Sequence, residues 1–393
     1  MYWYEKEGQI FSPVISTRVR FARNLDGTPF PHRMEPNARV ELWKKICGAL
    51  APYGGKAVSF DQLNSREKTA YVETRLASPA LTKAGVGAGL ILSPEGDVSV
   101  MVGEEDHLRI QAIYPGKAID EAFKAASLWC ERAEKELSIA YREGLGYLTS
   151  CPTNLGAGCR ISVMIHLPAL HGAGAMNSLT ENLNNAGFTV RGIFGEGSRE
   201  AEGIYQISNQ LSREKTPEEI RDSFLRMLAG LEEQERNAAN LLFNQYKNDL
   251  EDKICRAIGT VKYARKMSYG EFSSLYALIR FGKALGLEEA RKLPLTDRLL
   301  IELMPSPMIL GDAKNRDEEF RDLARAEILR IGQHRIRCLK AQGLRTGRLR
   351  TGRLRMQCLR MQFLRMQCLR IQCLKTDRLR TMHLRFGPPC AAA

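Results

Sequence analysis

Four short segments of this chain hold residues whose types and spacing could do chemistry. In Ser16-Thr17-Arg18-Val19-Arg20-Phe21-Ala22-Arg23-Asn24, arginines alternate with apolar residues. In an extended segment Arg18 and Arg20 point the same way, so two guanidinium forks can grip neighbouring phosphate oxygens; a solvated basic face shows the same alternation. Gly103-Glu104-Glu105-Asp106-His107-Leu108-Arg109 follows the apolar run Val98–Val102. Three acids so close repel one another unless a cation sits among them, which leaves a solvated acidic turn or a cation-holding one. No second His or Cys stands at metal-ligand spacing.

The third segment is Leu148-Thr149-Ser150-Cys151-Pro152-Thr153-Asn154-Leu155-Gly156-Ala157-Gly158-Cys159-Arg160. A thiol in such a polar loop is activated if a cation stands beside it; the composition also suits a plain turn. The fourth, Arg191-Gly192-Ile193-Phe194-Gly195-Glu196-Gly197-Ser198, has glycines that permit close backbone approach to a ligand, but no Gly-Lys-Ser/Thr of a Walker P-loop follows.

The elements that must position these residues read as α+β up to about Glu235, with strands at Val98–Val102 and 161–167. From Glu218 to Arg330 the period becomes helical, as in 220–228 and 276–281, with turns signalled at Gly270, Gly286 and 305–307. The 393 residues allow two or three domains. No run of about 18 apolar residues offers a membrane span, and the N-terminus has neither a basic start nor an apolar run. A cytoplasmic protein is expected. The 10 cysteines follow no framework spacing, so reduced thiols are expected.

The net charge of +13 suggests nucleic acid at first. From Arg335 onward, however, 15 Lys and Arg face the single acid Asp377, leaving 43 basic and 44 acidic residues before it. The basic balance belongs to the tail, and nucleic acid is disfavoured. In that tail Leu recurs every five residues from Leu339 to Leu384. Five residues turn an α-helix by about 500°, so the leucines form no stripe, and an odd period alternates faces in a strand. A pentapeptide solenoid has the right period but wants a small residue where Gln342, Gln357, Gln362 and Gln367 stand; a flexible tract is the other reading.

Taken together the four segments resemble the phosphagen kinases, the ATP:guanidino phosphotransferases, in motif and in order, over roughly residues 14 to 238. The resemblance implies an antiparallel sheet flanked by helices, with ATP and Mg²⁺ held mainly through the phosphates and no protein-bound metal. It makes Arg18, Arg20, Arg109, Arg160 and Arg191 the phosphate clamp, within an ATP-binding set that adds Ser16, Thr17, Val19, Ile161, Ser162, Val163, Met164, Gly192, Ile193, Phe194, Gly195 and Glu196. It makes Glu105 and Glu196 the carboxylates that hold the guanidinium, with Cys151 beside it. The chemistry explains these types: phosphoryl transfer asks for alignment and charge neutralisation. A guanidinium with a pKa of about 13.8 needs a carboxylate to orient it and take its proton. Two positions depart from the family. Gly103 replaces the usual Asn before the Glu pair, which would loosen that loop, and Arg75 replaces a nucleotide-contacting His.

Metabolite-directed members carry a helical domain ahead of the catalytic one, whereas here little precedes Val14 and a helical region follows, as in bacterial protein-arginine kinases. These also share Tyr205-Gln206-Ile207-Ser208-Asn209-Gln210. Arg321-Asp322-Leu323-Ala324-Arg325-Ala326 resembles their phosphoarginine-binding motif: Arg321 and Arg325 would hold a phosphate, Asp322 a guanidinium, with Ala326 alongside. By itself the segment also suits a solvated helix face. The resemblance thus implies arginine-bearing protein substrates and, as partners, a heat-shock repressor, a Clp-type unfoldase and an activator protein, in stress response and marking for proteolysis; it leaves room for a homodimer. Alternatives are a kinase of free arginine or another small guanidino compound, and an inactive adaptor. The expected domains are a catalytic one over 1–238, an all-α one over 239–334 carrying the phosphoarginine motif, and a basic tail over 335–393.

Overall fold

In chain order the strands are β1 (Val14–Arg23), β2 (Lys56–Ser59), β3 (Gly89–Leu92), β4 (Val98–Val102), β5 (Leu108–Pro115), β6 (Tyr141–Arg142), β7 (Gly146–Tyr147), β8 (Cys159–His166), β9 (Phe188–Gly192) and β10 (Ile204–Asn209). The helices are α1 (Pro36–Leu50), α2 (Ser65–Glu73), α3 (Ile119–Glu136), α4 (Pro168–Gly172), α5 (Met176–Asn185), α6 (Pro217–Gln245), α7 (Lys247–Tyr263), α8 (Tyr269–Ala284), α9 (Glu288–Arg291), α10 (Leu299–Glu302) and α11 (Glu318–Ala341). This computed structural model describes residues 2–6, 12–192, 203–210, 212–307 and 317–341, without the side chains of 331–341. The chain divides into the units Met1–Arg337 and Cys338–Ala393; of the latter only the last residues of α11 are described. The repeat tract beyond residue 341 therefore lies outside the described residues.

Eight strands form one sheet in the order β2-β3-β4-β5-β1-β8-β10-β9, and every neighbouring pair is antiparallel. Because side chains alternate across a sheet, each central strand divides its residues between two surfaces. Val19, Phe21, Ile110, Ala112, Ile161, Val163, Tyr205 and Ile207 point to one side and are buried in the main core. α3 covers that side: Ile119, Ala122, Phe123, Ala126, Trp129 and Ala133 recur at helical spacing on its buried face. α6 closes the far end with Ile220, Phe224, Leu228 and Leu231. Phe224 meets Phe188 edge-on at 5.7 Å, and burying a ring of that size stabilises by about 2–3 kcal/mol.

The other side of the sheet carries the polar residues, and the C-terminal helices reach only part of it. Ile15, Met164 and Ile204 pack with α7, α8 and α11 in a second core. Within it α7 and α8 approach so closely that a Cβ on Gly282 would lie 2.7 Å from Ile254 Cγ2. Arg280 of α8 ties the helices to the start of β1, donating to Ser12 O and Val14 O while pairing with Asp297. The helical region begins inside α6, a 29-residue helix that runs through residue 238. Gly270, expected at a turn, is the second residue of α8, because Ser268 caps that helix by accepting from Glu271 N. Among the described residues no helix is long and apolar enough to cross a membrane.

Candidate active site

The alternation that builds the core places the clamp arginines together on the opposite surface. Arg20 stands opposite Arg160 of β8 and Gln111 of β5, and Arg18 stands opposite Ser162 and Ile113. Arg109 lies two residues from Gln111 on β5, hence on the same surface, and Arg191 of β9 stands opposite Gln206. Like charges directly opposed across a ladder are destabilising, so Arg20 against Arg160 is a costly pairing unless an anion joins it.

The protein supplies little to neutralise them. Arg18 donates to Ser162 Oγ at 3.2 Å and Gln206 Oε1 at 3.4 Å, and Arg160 to Ser208 Oγ at 2.8 Å. The Nε atoms of Arg20, Arg75 and Arg160 are buried without a hydrogen-bond partner. Burial first, then the neighbouring arginines, pushes Arg18 down to about 9 and lowers Arg20 and Arg160 as well. Buried unpaired donors are rare and expensive; several converging ones fit a polyphosphate, which would satisfy them all at once. Mg²⁺ would then be held through the phosphates; among the described residues no cluster of His, Cys, Asp and Glu suits a metal ion.

Arg109 differs. It pairs with Glu104 and Glu105, each at 2.6 Å. Glu104 is buried and also accepts from Ser78 Oγ, whereas the Glu105 side chain keeps 39% of its exposure. Of the two carboxylates, only Glu105 is open to a substrate.

Three residues whose role sequence reasoning missed fix the loop that carries Glu105. Asn24, at the end of β1, donates to Asp106 Oδ1 at 2.7 Å and accepts from His107 N at 2.8 Å. Asp106 also accepts from Ser150 N at 2.8 Å, tying the Glu105 loop to the Cys151 loop; burial raises its pKa. His107 accepts from Leu25 N at Nδ1 and faces Pro29 O with Nε2, which selects the Nε2–H tautomer, and burial favours the neutral ring. The only signal for these roles was composition: short polar side chains at a strand end. Cys151 is half-buried, its Sγ 3.0 Å from Thr153 Oγ1, and it lies close enough to Arg160 to act on that group's titration.

Gly103 does not loosen this loop. Its φ of +70° is one that Asn also tolerates, its N–H donates to His107 O, and Arg39 donates to its carbonyl at 2.8 Å. Of the expected nucleotide set, Ser16 and Ser162 are buried on the arginine side of their strands, and Met164 faces Gln206. Thr17, Val19, Ile161 and Val163 are buried on the core side of their strands. Arg191 is exposed and Gly192 half-buried at the end of β9; Ile193, Phe194, Gly195 and Glu196 lie outside the described residues.

The C-terminal motif is arranged differently. Arg325 is only 1% exposed and donates to Leu303 O, Met267 O and Asp322 Oδ1 at 2.7–3.1 Å. Ala326 is buried beside it, and Arg321 is half-buried. In this conformation Arg325 and Asp322 are bound to each other, and among the described residues Arg321 has no ion-pair partner.

The fold and site define a phosphotransferase class that the comparisons name. The family model described as ATP:guanido phosphotransferase, C-terminal catalytic domain, matches residues 41–238, and the chain belongs to that family of guanidino phosphotransferases. A second model, the protein-arginine kinase McsB C-terminal domain, matches 247–342. Curated relatives agree with this branch. The chain is 38% identical over 336 residues to the protein-arginine kinase of Bacillus licheniformis, covering 84% of this chain and 92% of that protein. It is 34% identical to that of Halothermothrix orenii over 332 residues, covering 84% and 95%. Among solved structures, the duplicated taurocyamine kinase of Schistosoma mansoni with bound transition state analog components shares the fold at TM-score 0.51 and 24% identity, over 59% of this chain and 33% of that one. Lombricine kinase does so at TM-score 0.51 and 21% identity, over 57% and 66%.

Proposed function

We propose that this chain transfers the γ-phosphoryl group of ATP to arginine side chains of proteins. The observation that carries this reading is the convergence of half-buried, unneutralised guanidiniums, among them the buried unpartnered Nε atoms of Arg20 and Arg160, on one surface of the sheet beside the accessible carboxylate of Glu105. Arg18, Arg20, Arg109, Arg160 and Arg191 hold the triphosphate. Glu105 and Glu196 orient the substrate guanidinium, and Cys151 lends negative character next to it. A guanidino nitrogen attacks the γ-phosphorus, the bond from phosphorus to the β,γ-bridging oxygen breaks, ADP leaves, and the proton on the attacking nitrogen passes to Glu105. Mg²⁺, when bound, neutralises charge on the phosphates. Glu105 pairs with Arg109; phosphate oxygens that draw on Arg109 release the carboxylate for the substrate.

The relatives matched over most of their length favour protein over free arginine as acceptor, as does the helical region carrying Arg321, Asp322 and Arg325, read as a phosphoarginine-binding motif. A heat-shock repressor, a Clp-type unfoldase and an activator are the partners this reading calls for, in a cytoplasmic stress response. Incubation with labelled ATP and either casein or free arginine tests it. Acid-labile label on casein is expected; label on free arginine alone moves the acceptor to a small guanidino compound, and label on neither leaves only a binding role.

A further inference from the structure

Among the described residues only Arg75 and Glu214 combine a side chain with positive φ, +62° and +61°. At Arg75 the conformation is imposed from several directions. Its N–H donates to Val72 O, and its carbonyl accepts from Gln111 Nε2 at 2.9 Å. The Thr74 carbonyl accepts from the buried Trp3 indole at 2.8 Å, and the Glu73 carboxylate accepts from Ser306 N at 2.7 Å. A left-handed non-glycine residue is strained and persists where its surroundings over-determine it.

What this turn achieves is the placement of a guanidinium. Arg75 Nη2 lies 3.3 Å from Met164 Sδ, on the arginine side of β8, and Nε is buried with no partner. A thioether is a weak acceptor, and among the described residues no carboxylate pairs with Arg75. Arg75 is also the first of the like charges that depress Arg18, so it sits within the same positive cluster. A residue serving only the turn would not need a long cation, since glycine adopts this φ freely.

We propose that Arg75 is a sixth guanidinium of the polyphosphate site, binding ATP phosphate oxygens beside Arg18. This rests on the reading of that surface as the ATP site. The positive φ supplies the control: Arg75→Gly relieves the turn while removing the cation, and Arg75→Asn, which also tolerates this conformation, serves if the glycine variant folds poorly. Direct titration of the full chain with ATP is expected to show Kd raised about tenfold or more in either variant, from loss of a charge-assisted contact. In turnover the loss falls on KM for ATP rather than kcat, and affinity for uncharged adenosine is unchanged. Arg75→Lys recovers part of the loss. ATP affinity within twofold of the parent in the glycine or asparagine variant, or an equal loss for adenosine, overturns the proposal. Should the parent bind ATP yet label neither casein nor arginine, the transfer reading falls while the Arg75 comparison still decides this one; a parent that binds no ATP sinks both.

Discussion

Two groups of arginines in this chain, one half-buried and one buried, meet opposite surroundings. On the sheet, Arg18, Arg20, Arg75 and Arg160 gather with no carboxylate paired to them among the described residues; burial lowers the pKa of all four, and neighbouring arginines add to it at Arg18, Arg20 and Arg160. In the helical region, Arg280 is more deeply buried, but Asp297 and Tyr276 outweigh that burial and raise its pKa. Arg325 is likewise enclosed by two carbonyls and Asp322. Burial alone therefore does not mark a functional cation. A buried guanidinium whose partners are all supplied by the protein is a strut, and one left without partners is a receptor.

The largest test of this contrast falls on Arg109, the clamp arginine that is paired among the described residues. Glu105→Gln keeps size and hydrogen-bonding capacity but removes the base and the charge on Arg109. Phosphoryl transfer is expected to drop by about 10²–10⁴, while ATP binds as well as to the parent or better, since only Glu104 then competes with phosphate for Arg109. Labelling of casein and ATP titration check the two halves, and normal turnover would remove Glu105 from the chemistry.

Next in size, Arg325→Met breaks the strut. Two carbonyls and a carboxylate lose their donor inside a packed core, so unfolding free energy is expected to fall by about 3 kcal/mol or more, with ATP affinity of the folded protein unchanged. Denaturant unfolding measures it. A change below about 0.5 kcal/mol would show that Arg325 is no strut and that its enclosure is one of two accessible arrangements. Arg20→Met should do the reverse. Removing a half-buried charge that has no partner among the described residues, opposite Arg160, raises the melting temperature of the ATP-free protein by a few degrees, and costs about tenfold or more in ATP affinity. An ATP-free protein that melts lower without Arg20 would contradict the receptor reading.

The two classes were not equally legible in sequence. The alternation in Ser16-Thr17-Arg18-Val19-Arg20 discloses which side each residue takes once a strand is assumed, and β4 appears at the residues its apolar run predicts. The pairing of Arg20 with Arg160, 140 positions apart, depends on strand register, which no local pattern encodes. Asn24, Asp106 and His107 act through contacts between loops, so their residue types alone announced nothing. The Arg321-Asp322 motif shows the converse. Its i,i+4 spacing suggested two arginines sharing a ligand, yet Arg325 turns into the core because Met267 and Leu303 offer carbonyls there. Gly270 misled for a simpler reason: the cap at Ser268 sets where α8 begins, and a glycine in its first turn costs little against that hydrogen bond.

The smallest expected effect concerns a buried carboxylate that belongs to neither extreme. Glu235 of α6 accepts from Ala169 N at 2.8 Å and Leu170 N at 3.0 Å, serving the N-terminus of α4, where Leu167 offers no side-chain cap. Burial pushes its pKa up from 4.5 to about 7 despite those two donors. A carboxyl whose folded pKa is raised binds its proton more tightly in the folded than in the unfolded chain. Its contribution is fully present below about pH 4.5 and is lost as pH rises through about 7. Stability should therefore decline across that window. Glu235→Gln removes the titration, so its melting temperature is expected to stay flatter from pH 5 to 7.5, at the cost of about 1 kcal/mol for the donor that a single amide oxygen leaves unmet. An identical pH slope in parent and variant would mean that the two backbone donors already hold Glu235 ionised, which would place it with the struts.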